Sequence, residues 1–246
     1  MTNTKEKNLT ISMGQVTQTL KSFLNLFLQS NCPLCQRPTE GELCKYCQRQ
    51  VLSCQFPNPS QFWEGQLPVF AWGMYGGAIK RAIAALKYDN QPQLARPLGH
   101  WLGEAWLTSK VAAGTKNLTV VPIPLHANKL QQRGYNQAEL LAQSFCDFTR
   151  LPLRGDGLER VRATEAQFGL TASKREENLA EAFCVSKKFQ LRRQATPVLL
   201  LDDIFTTGAT ARAAAQTLQQ AGIPVYGLVA IATTRTLPDA TFKSKQ

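Results

Sequence analysis

One stretch of this 246-residue chain, residues 198–210 (VLLLDDIFTTGAT), limits its possible folds more than any other. Its aliphatic run reads as a buried strand of the kind found in a sheet covered on both faces. The strand delivers two adjacent carboxylates, Asp202 and Asp203, to its carboxyl end, the edge at which open α/β sheets bind their ligands. A bend with Thr206, Thr207, Gly208 and Thr210 then opens a helix at Ala209. Successive backbone N–H groups, three hydroxyls and a helix N-terminus suit a phosphate dianion. Gly208 permits a close approach or a positive φ. The carboxylates can accept hydrogen bonds from neighbouring sugar hydroxyls, and one can reach a magnesium ion. An ordinary helix start with an acidic residue and a threonine cap explains one acid and one threonine, but not this whole set in this order. The lysine of a GxxxxGK[ST] loop is missing, which argues against an ATP-hydrolysing site of that type.

The surroundings support an α/β fold. From about Leu67 onward, strands alternate with helices, the pattern of a mostly parallel sheet flanked by helices. Helices are predicted over 78–87, 91–108, 137–149 and 209–221, and buried strands over 117–124, 197–202 and 224–233. Two segments break this rhythm: 129–136 (KLQQRGYN), polar and glycine-containing, and 155–178, long, basic and weakly periodic. A long loop in a compact domain is a disordered insert or a functional cover, and the basic residues here favour a cover over something anionic. The chain thus divides into an N-terminal segment, 1–30, a small cysteine-rich module with a linker, 31–60, and a main domain, 65–246. Within the first, 20–28 (LKSFLNLFL) is predicted to be an amphipathic helix packed on the body. It is too short to span a membrane and lacks a cleavage site after it, so a cytoplasmic protein is expected.

The module carries CPLC and CKYC, with Cys32, Cys35, Cys44 and Cys47 as two CxxC pairs. Each pair can chelate one metal from a tight turn, and four thiolates complete a closed, structural zinc site. Two disulfides are the alternative, disfavoured in a reducing compartment. Metal binding would supply much of the module's folding free energy, on the order of 10 kcal/mol. Cys54, Cys146 and Cys184 read as small hydrophobes.

The net charge of +11 suits phosphorylated metabolites, nucleic acid or an anionic surface without choosing among them. Lys80, Arg81 and Lys87 lie on one predicted helix. Lys80 and Lys87, seven apart, share a face that is either nucleotide-binding or simply solvated. The four tryptophans, Trp63, Trp72, Trp101 and Trp106, do not interleave with basic residues and read as core or interface.

These blocks together resemble a known family. DDIFTTGAT is similar to the signature with which type I phosphoribosyltransferases bind 5-phosphoribosyl-1-pyrophosphate (PRPP). The order CPLC…CKYC, GAIKRAIAALKY (77–88), VVPIPLHANKLQQRGYNQAELLA (120–142), RVRATEAQFGLTASKREENLAEAF (160–183) and the PRPP signature resembles the ComF family, competence protein F-like proteins that join a zinc finger to such a domain. The resemblance implies that Asp202 and Asp203 hold the ribose hydroxyls, and that Thr206, Thr207, Gly208, Ala209 and Thr210 hold the 5-phosphate. It also implies that the loop 122–126 meets pyrophosphate with Mg²⁺, and that the basic cover over 160–175, with Arg162 and Arg175, closes during reaction. Arg133 has no clear transferase counterpart; a phosphate clamp and a helix cap both stay open. His126, beside the strand end, reads as structural.

Three functions compete: phosphoribosyl transfer from PRPP to a nitrogen nucleophile, a non-catalytic PRPP-sensing or single-stranded-DNA-binding protein linked to DNA uptake, and an adaptor docking through its zinc module.

Overall fold

The computed structural model describes residues 30–113, 117–162, 181–190 and 196–236. β1 (Ser30–Asn31) pairs antiparallel with β2 (Pro38–Thr39), and α1 (Lys45–Leu52) follows. Then come β3 (Val69–Met74), α2 (Gly77–Tyr88), a 3₁₀ turn (Pro92–Leu94), α3 (Ala95–Leu107), α4 (Lys110–Ala113) and β4 (Thr119–Pro122). The chain continues through α5 (Ala127–Arg133), α6 (Gln137–Thr149), β5 (Leu158–Arg160), β6 (Phe183–Val185) and α7 (Lys187–Gln190). It ends in β7 (Val198–Phe205), α8 (Ala209–Gln220) and β8 (Val225–Thr233).

Four strands form one parallel sheet in the order β3-β8-β7-β4, as expected of an α/β protein. β7 and β8 are central, which is why their sequences are continuous apolar runs and not alternating ones. Alternation along β7 sends Leu199 and Leu201 to one face, against Ile79, Ile83, Leu86, Leu98 and Phe145 of α2, α3 and α6. Val198 and Leu200 face the other layer, with Ala214 and Leu218 of α8 and with Leu158 and Phe183 of the separate β5-β6 pair. α3 crosses α6 closely at Gly99, where a Cβ would lie 2.5 Å from Ser144 Cβ and 2.8 Å from Leu141 O. Only glycine lets those backbones approach so far.

The structure departs from the sequence reading in several places. β7 runs three residues past Asp202, through Asp203 and Ile204 to Phe205, so both acids lie within the strand. β3 is a fourth strand that the reading did not single out. The helix expected over 91–108 is interrupted at its start by the Pro92 turn. The polar stretch read as a break at 129–136 is largely helical, as α5. His126 caps its start through Nδ1, accepting from the Asn128 N–H at 3.3 Å, and Gly134 ends it at φ 81°. None of its side chains is buried, so it carries no apolar period to read. The helix expected over 20–28 and most of the cover lie outside the described residues.

The cysteine module is built into the main core. Cys32, Leu43, Cys47 and Val51 belong to the same buried cluster as Ile79, Ile83 and Leu86. The segment beyond it runs along the free edge of β3. The Phe56 N–H donates to Trp72 O at 2.9 Å and the Ala71 N–H to Pro59 O at 3.0 Å, while Phe62 bridges Val69. This covers an edge strand that would otherwise expose unpaired backbone. Val51→Ala is therefore expected to cost about 2 kcal/mol of stability for the whole chain. A chain beginning at residue 61 should melt below the full chain in thermal denaturation; an unchanged midpoint would show the module to be an independent appendage.

Candidate functional site

Adjacent residues on a strand point to opposite faces, and that fact shapes the site. Asp203 follows Leu201 into the α2 layer, where it is 3% exposed. Lys87, at the last turn of α2, places Nζ 2.7 Å from Asp203 Oδ2. Both side chains are largely withdrawn from water, so this pair is screened far less than a surface salt bridge. Asp202 points toward the β5-β6 layer. Its Oδ1 accepts the Asp203 N–H at 2.8 Å, and the positive field of Arg160 reaches it from β5. The Arg160 guanidinium lies over the Phe183 ring at 5.4 Å; burial lowers its pKa and Asp202 pushes it back up. Desolvation, followed by repulsion from Asp203, raises the Asp202 carboxyl to about 8, against the pull of the Asp203 N–H and of Lys87.

The hydroxyl-bearing bend begins where β7 stops. Thr206 and Thr207 are exposed, and Gly208, at φ 80°, is the left-handed residue that turns the chain into α8. A Cβ there would lie 2.6 Å from the Phe205 ring and 2.8 Å from Arg212 Nη1. The bend is braced from both ends. Arg212 Nη1 donates to Thr207 O at 2.9 Å, and the Thr207 hydroxyl accepts from the Ala209 N–H at 3.4 Å. Phe205 O accepts from Thr233 Oγ1 at 2.9 Å, while Arg235 lies 4.8 Å over the Phe205 ring. Thr210 is half-buried in the first turn of α8.

β4 ends beside β7: Pro122 stands opposite Leu201, and the Ile123 N–H donates to Leu201 O at 2.9 Å. The loop 122–126 therefore leaves the sheet at the same edge as the acidic pair. The RGYN block that follows is a structural clasp. Arg133 donates to Gln137 Oε1 and covers the Tyr88 ring at 5.4 Å. The Tyr135 hydroxyl donates to Leu86 O at 2.6 Å, and buried Asn136 donates through Nδ2 to Ile123 O at 3.2 Å. Arg133 thus braces the start of α6 and the end of α2, and it also lines a cavity of about 580 Å³ with Lys87, Tyr88, Lys129 and Tyr135.

The other sequence candidates fall elsewhere. Lys80 and Arg81 are on the exposed side of α2, with Arg81 Nη2 donating to Gln50 Oε1 of α1 at 3.0 Å. Lys87 is not part of that face, because the ion pair draws it into the site. Arg162 pairs with Glu181 near the start of the cover; Arg175 lies outside the described residues. Arg160 and Lys87 are the site residues whose roles sequence reasoning missed. The signal for Lys87 was its place at the end of an apolar helix leading toward the sheet edge.

The four thiols of Cys32, Cys35, Cys44 and Cys47 all lie within 4.8 Å of one another, and together they fit one metal ion. Sulfurs on a tetrahedral zinc would be separated by roughly 3.8 Å; Cys35 and Cys44 Sγ stand 3.5 Å apart. Two tight turns supply them. Cys32 O accepts the Gln36 N–H at 2.8 Å, and the Cys47 N–H donates to Cys44 Sγ at 3.5 Å. That N–H draws the Cys44 thiol down to about 7, favouring the thiolate a metal needs, while burial pushes Cys47 up. Among the described residues, no helix is long and apolar enough to cross a membrane.

No protein-family model matches the chain. A curated relative does: Competence protein F of Haemophilus influenzae is 31% identical over 224 residues, 83% of this chain and 93% of the relative. The chain belongs to the competence protein F family. DNA utilization protein YhgH of Escherichia coli is 28% identical over 202 residues, 78% of this chain and 85% of that protein. Competence protein ComFC of Bacillus subtilis is 26% identical over 192 residues, 78% and 72% of the two chains. Among solved structures, glutamine PRPP amidotransferase from B. subtilis complexed with ADP and GMP overlaps 56% of this chain and 26% of its own, with TM-score 0.35 and 17% identity. Adenine phosphoribosyltransferase from Leishmania tarentolae overlaps 58% of each chain, with TM-score 0.34 and 17% identity.

The raised Asp202 carboxyl links stability to pH. Between about pH 4 and 8 the folded chain binds a proton at Asp202 that the unfolded chain has released, so stability should fall as pH rises through that window. Asp202→Asn should remove this slope and leave the ligand-free chain more stable than wild type near pH 8. Melting temperatures of both proteins from pH 5 to 9 check this; parallel curves would refute it.

Proposed function

We propose that the chain binds PRPP with Mg²⁺ at the carboxyl end of β7, as a phosphoribosyltransferase-like protein linked to DNA uptake. The observation that carries this reading is the junction itself. Two acids at the end of a central parallel strand lead directly into a braced bend, with left-handed Gly208 and exposed Thr206 and Thr207 at the N-terminus of the twelve-residue α8. Asp202 and Asp203 would accept from the ribose hydroxyls. The bend residues Thr206, Thr207, Gly208, Ala209 and Thr210 would cradle the 5-phosphate through N–H and O–H donors. In transfer, the bond from C1 to the pyrophosphate oxygen would break as a bond from C1 to the acceptor nitrogen forms, the acceptor's N–H proton passing to water; Mg²⁺ bound with PRPP would supply charge neutralisation for the leaving group. The chain would contribute orientation and charge; Arg162 and Arg175 would meet the leaving group, and Arg133 holds α6 and α2 in place. The relatives named for competence and DNA utilization supply the cellular setting.

A non-catalytic, single-stranded-DNA-binding role is the second reading, favoured by the exposure of Lys80 and Arg81 on α2. The two separate in solution. Calorimetric titration with PRPP and Mg²⁺ should show saturable binding, weakened at least about tenfold by Asp203→Ala through loss of a charged acceptor. A screen of bases for pyrophosphate release then tests transfer. Binding of a single strand that persists without PRPP, falls steeply with salt and drops on neutralising Lys80 or Arg81 would favour the second reading. No heat and no thermal shift with PRPP would sink the first.

The cysteine cluster would hold one structural zinc, which fits a cytoplasmic, reducing environment. Elemental analysis should find about one zinc per chain. Its removal by a chelator, or Cys47→Ser, should lower the melting temperature of the entire chain, because Cys47 lies in the shared core. Metal-free protein with an unaltered melting curve would contradict this.

A further inference from the structure

We propose that Lys87 is the resident counter-ion of the acidic pair. In this role it is a positioning residue that holds the Asp203 carboxylate and keeps the pair from taking up a bare divalent cation, so that metal enters only together with a phosphorylated sugar. Two neighbouring carboxylates at a strand end are, on their own, a donor set for a hard cation. Here two of the four carboxylate oxygens are already engaged: Asp203 Oδ2 by an ammonium at 2.7 Å on a side chain only 17% exposed, and Asp202 Oδ1 by the Asp203 N–H. The lysine is not free to drift. Its helix end is tied down by the Tyr135 hydroxyl on Leu86 O at 2.6 Å and by the Asp89 N–H on Ala85 O at 3.1 Å.

Among the described residues, the charges at the pair come from three elements: Asp202 and Asp203 on β7, Lys87 on α2 and Arg160 on β5. The two cations, Lys87 against Asp203 and Arg160 toward Asp202, offset the two carboxylates and weaken the negative field that would draw in a lone dication. A polyanionic sugar meets the reverse situation. Lys87 also lines the 580 Å³ cavity with Lys129 and Arg133, so an ammonium displaced from Asp203 stays beside an opening edged with cations. The metal half of this inference stands on the ion pair alone, and the sugar half rests on the PRPP reading above.

The test is Mn²⁺ uptake by the full-length, zinc-loaded chain, followed by electron paramagnetic resonance. Without sugar, wild type and Lys87→Arg should bind Mn²⁺ more weakly than about 1 mM, and Lys87→Gln should bind it at least roughly tenfold more tightly. That gain should vanish when Asp203→Asn is added, and circular dichroism should show the variants folded. No gain in Lys87→Gln, a gain that survives Asp203→Asn, or tight Mn²⁺ uptake by wild type would each overturn the inference. Should Lys87→Gln fail to fold, Lys87→Met takes its place, and wild-type uptake decides without any variant. Adding PRPP should raise Mn²⁺ uptake by wild type. If it does not while Lys87→Gln still gains, the PRPP reading fails and the counter-ion role stands.

Discussion

A strand cannot aim two neighbouring side chains the same way, and most of this site follows from that constraint. β7 is central, so each of its faces is already roofed by a layer of the fold when the chain reaches Asp202 and Asp203. Each acid enters a different layer and meets a different cation: Asp203 meets Lys87 from α2, and Asp202 lies in the field of Arg160 from β5. A buried carboxylate without a partner is costly, and charged partners from both layers reduce that cost. They also make the two acids chemically unlike. One is an ion-paired carboxylate, and the other is pushed toward its neutral form.

Helix α2 joins this chemistry to the cysteine cluster. Its first half packs near α1, with Arg81 reaching Gln50, and its last turn presents Lys87 to Asp203. The apolar side chains between, Ile79, Ile83 and Leu86, share one core with Cys32, Cys47 and Val51. Two short strands and an eight-residue helix offer little core of their own. Placed on α2, the cluster instead becomes part of the layer that positions Lys87. A metal held by the four thiols would stiffen the same layer that orients Asp203.

Much of this was legible before any coordinates. The aliphatic runs of β7 and β8 announce a buried parallel sheet, and α6 occupies the predicted residues, 137–149, because Asn136 caps it and Leu141, Ala142 and Phe145 give it one apolar face. The two CxxC pairs announced the thiol cluster by spacing alone. The parts that were missed share a physical cause. α5 buries nothing, so its helicity comes from His126 and Gly134 at its ends and leaves no period. β3 follows a Pro-rich stretch, and its strand character is completed by the backbone of residues 56–62 laid along its edge, a long-range event. The place of Lys87 depends on where one helix end meets one strand end. Spacing along α2 groups it with Lys80, but the tertiary fold separates them.

The bend after β7 shows how little of the site is left to be ordered by a ligand. Its outer surface is open, with Thr206 and Thr207 exposed, but its inner surface is fixed at three points. Arg212 holds the Thr207 carbonyl, Phe205 O is held by the Thr233 hydroxyl, and the Phe205 ring is pressed between Arg235 and the space a Gly208 side chain would need. Gly208 is therefore required on two separate grounds, its positive φ and its missing Cβ. Donors whose positions are set before an anion arrives cost no reorganisation when it binds. Arg212 and Arg235 brace backbone and ring, so their positive charge is spent on the scaffold of the bend, while Thr206 and Thr207 stay exposed on its open surface.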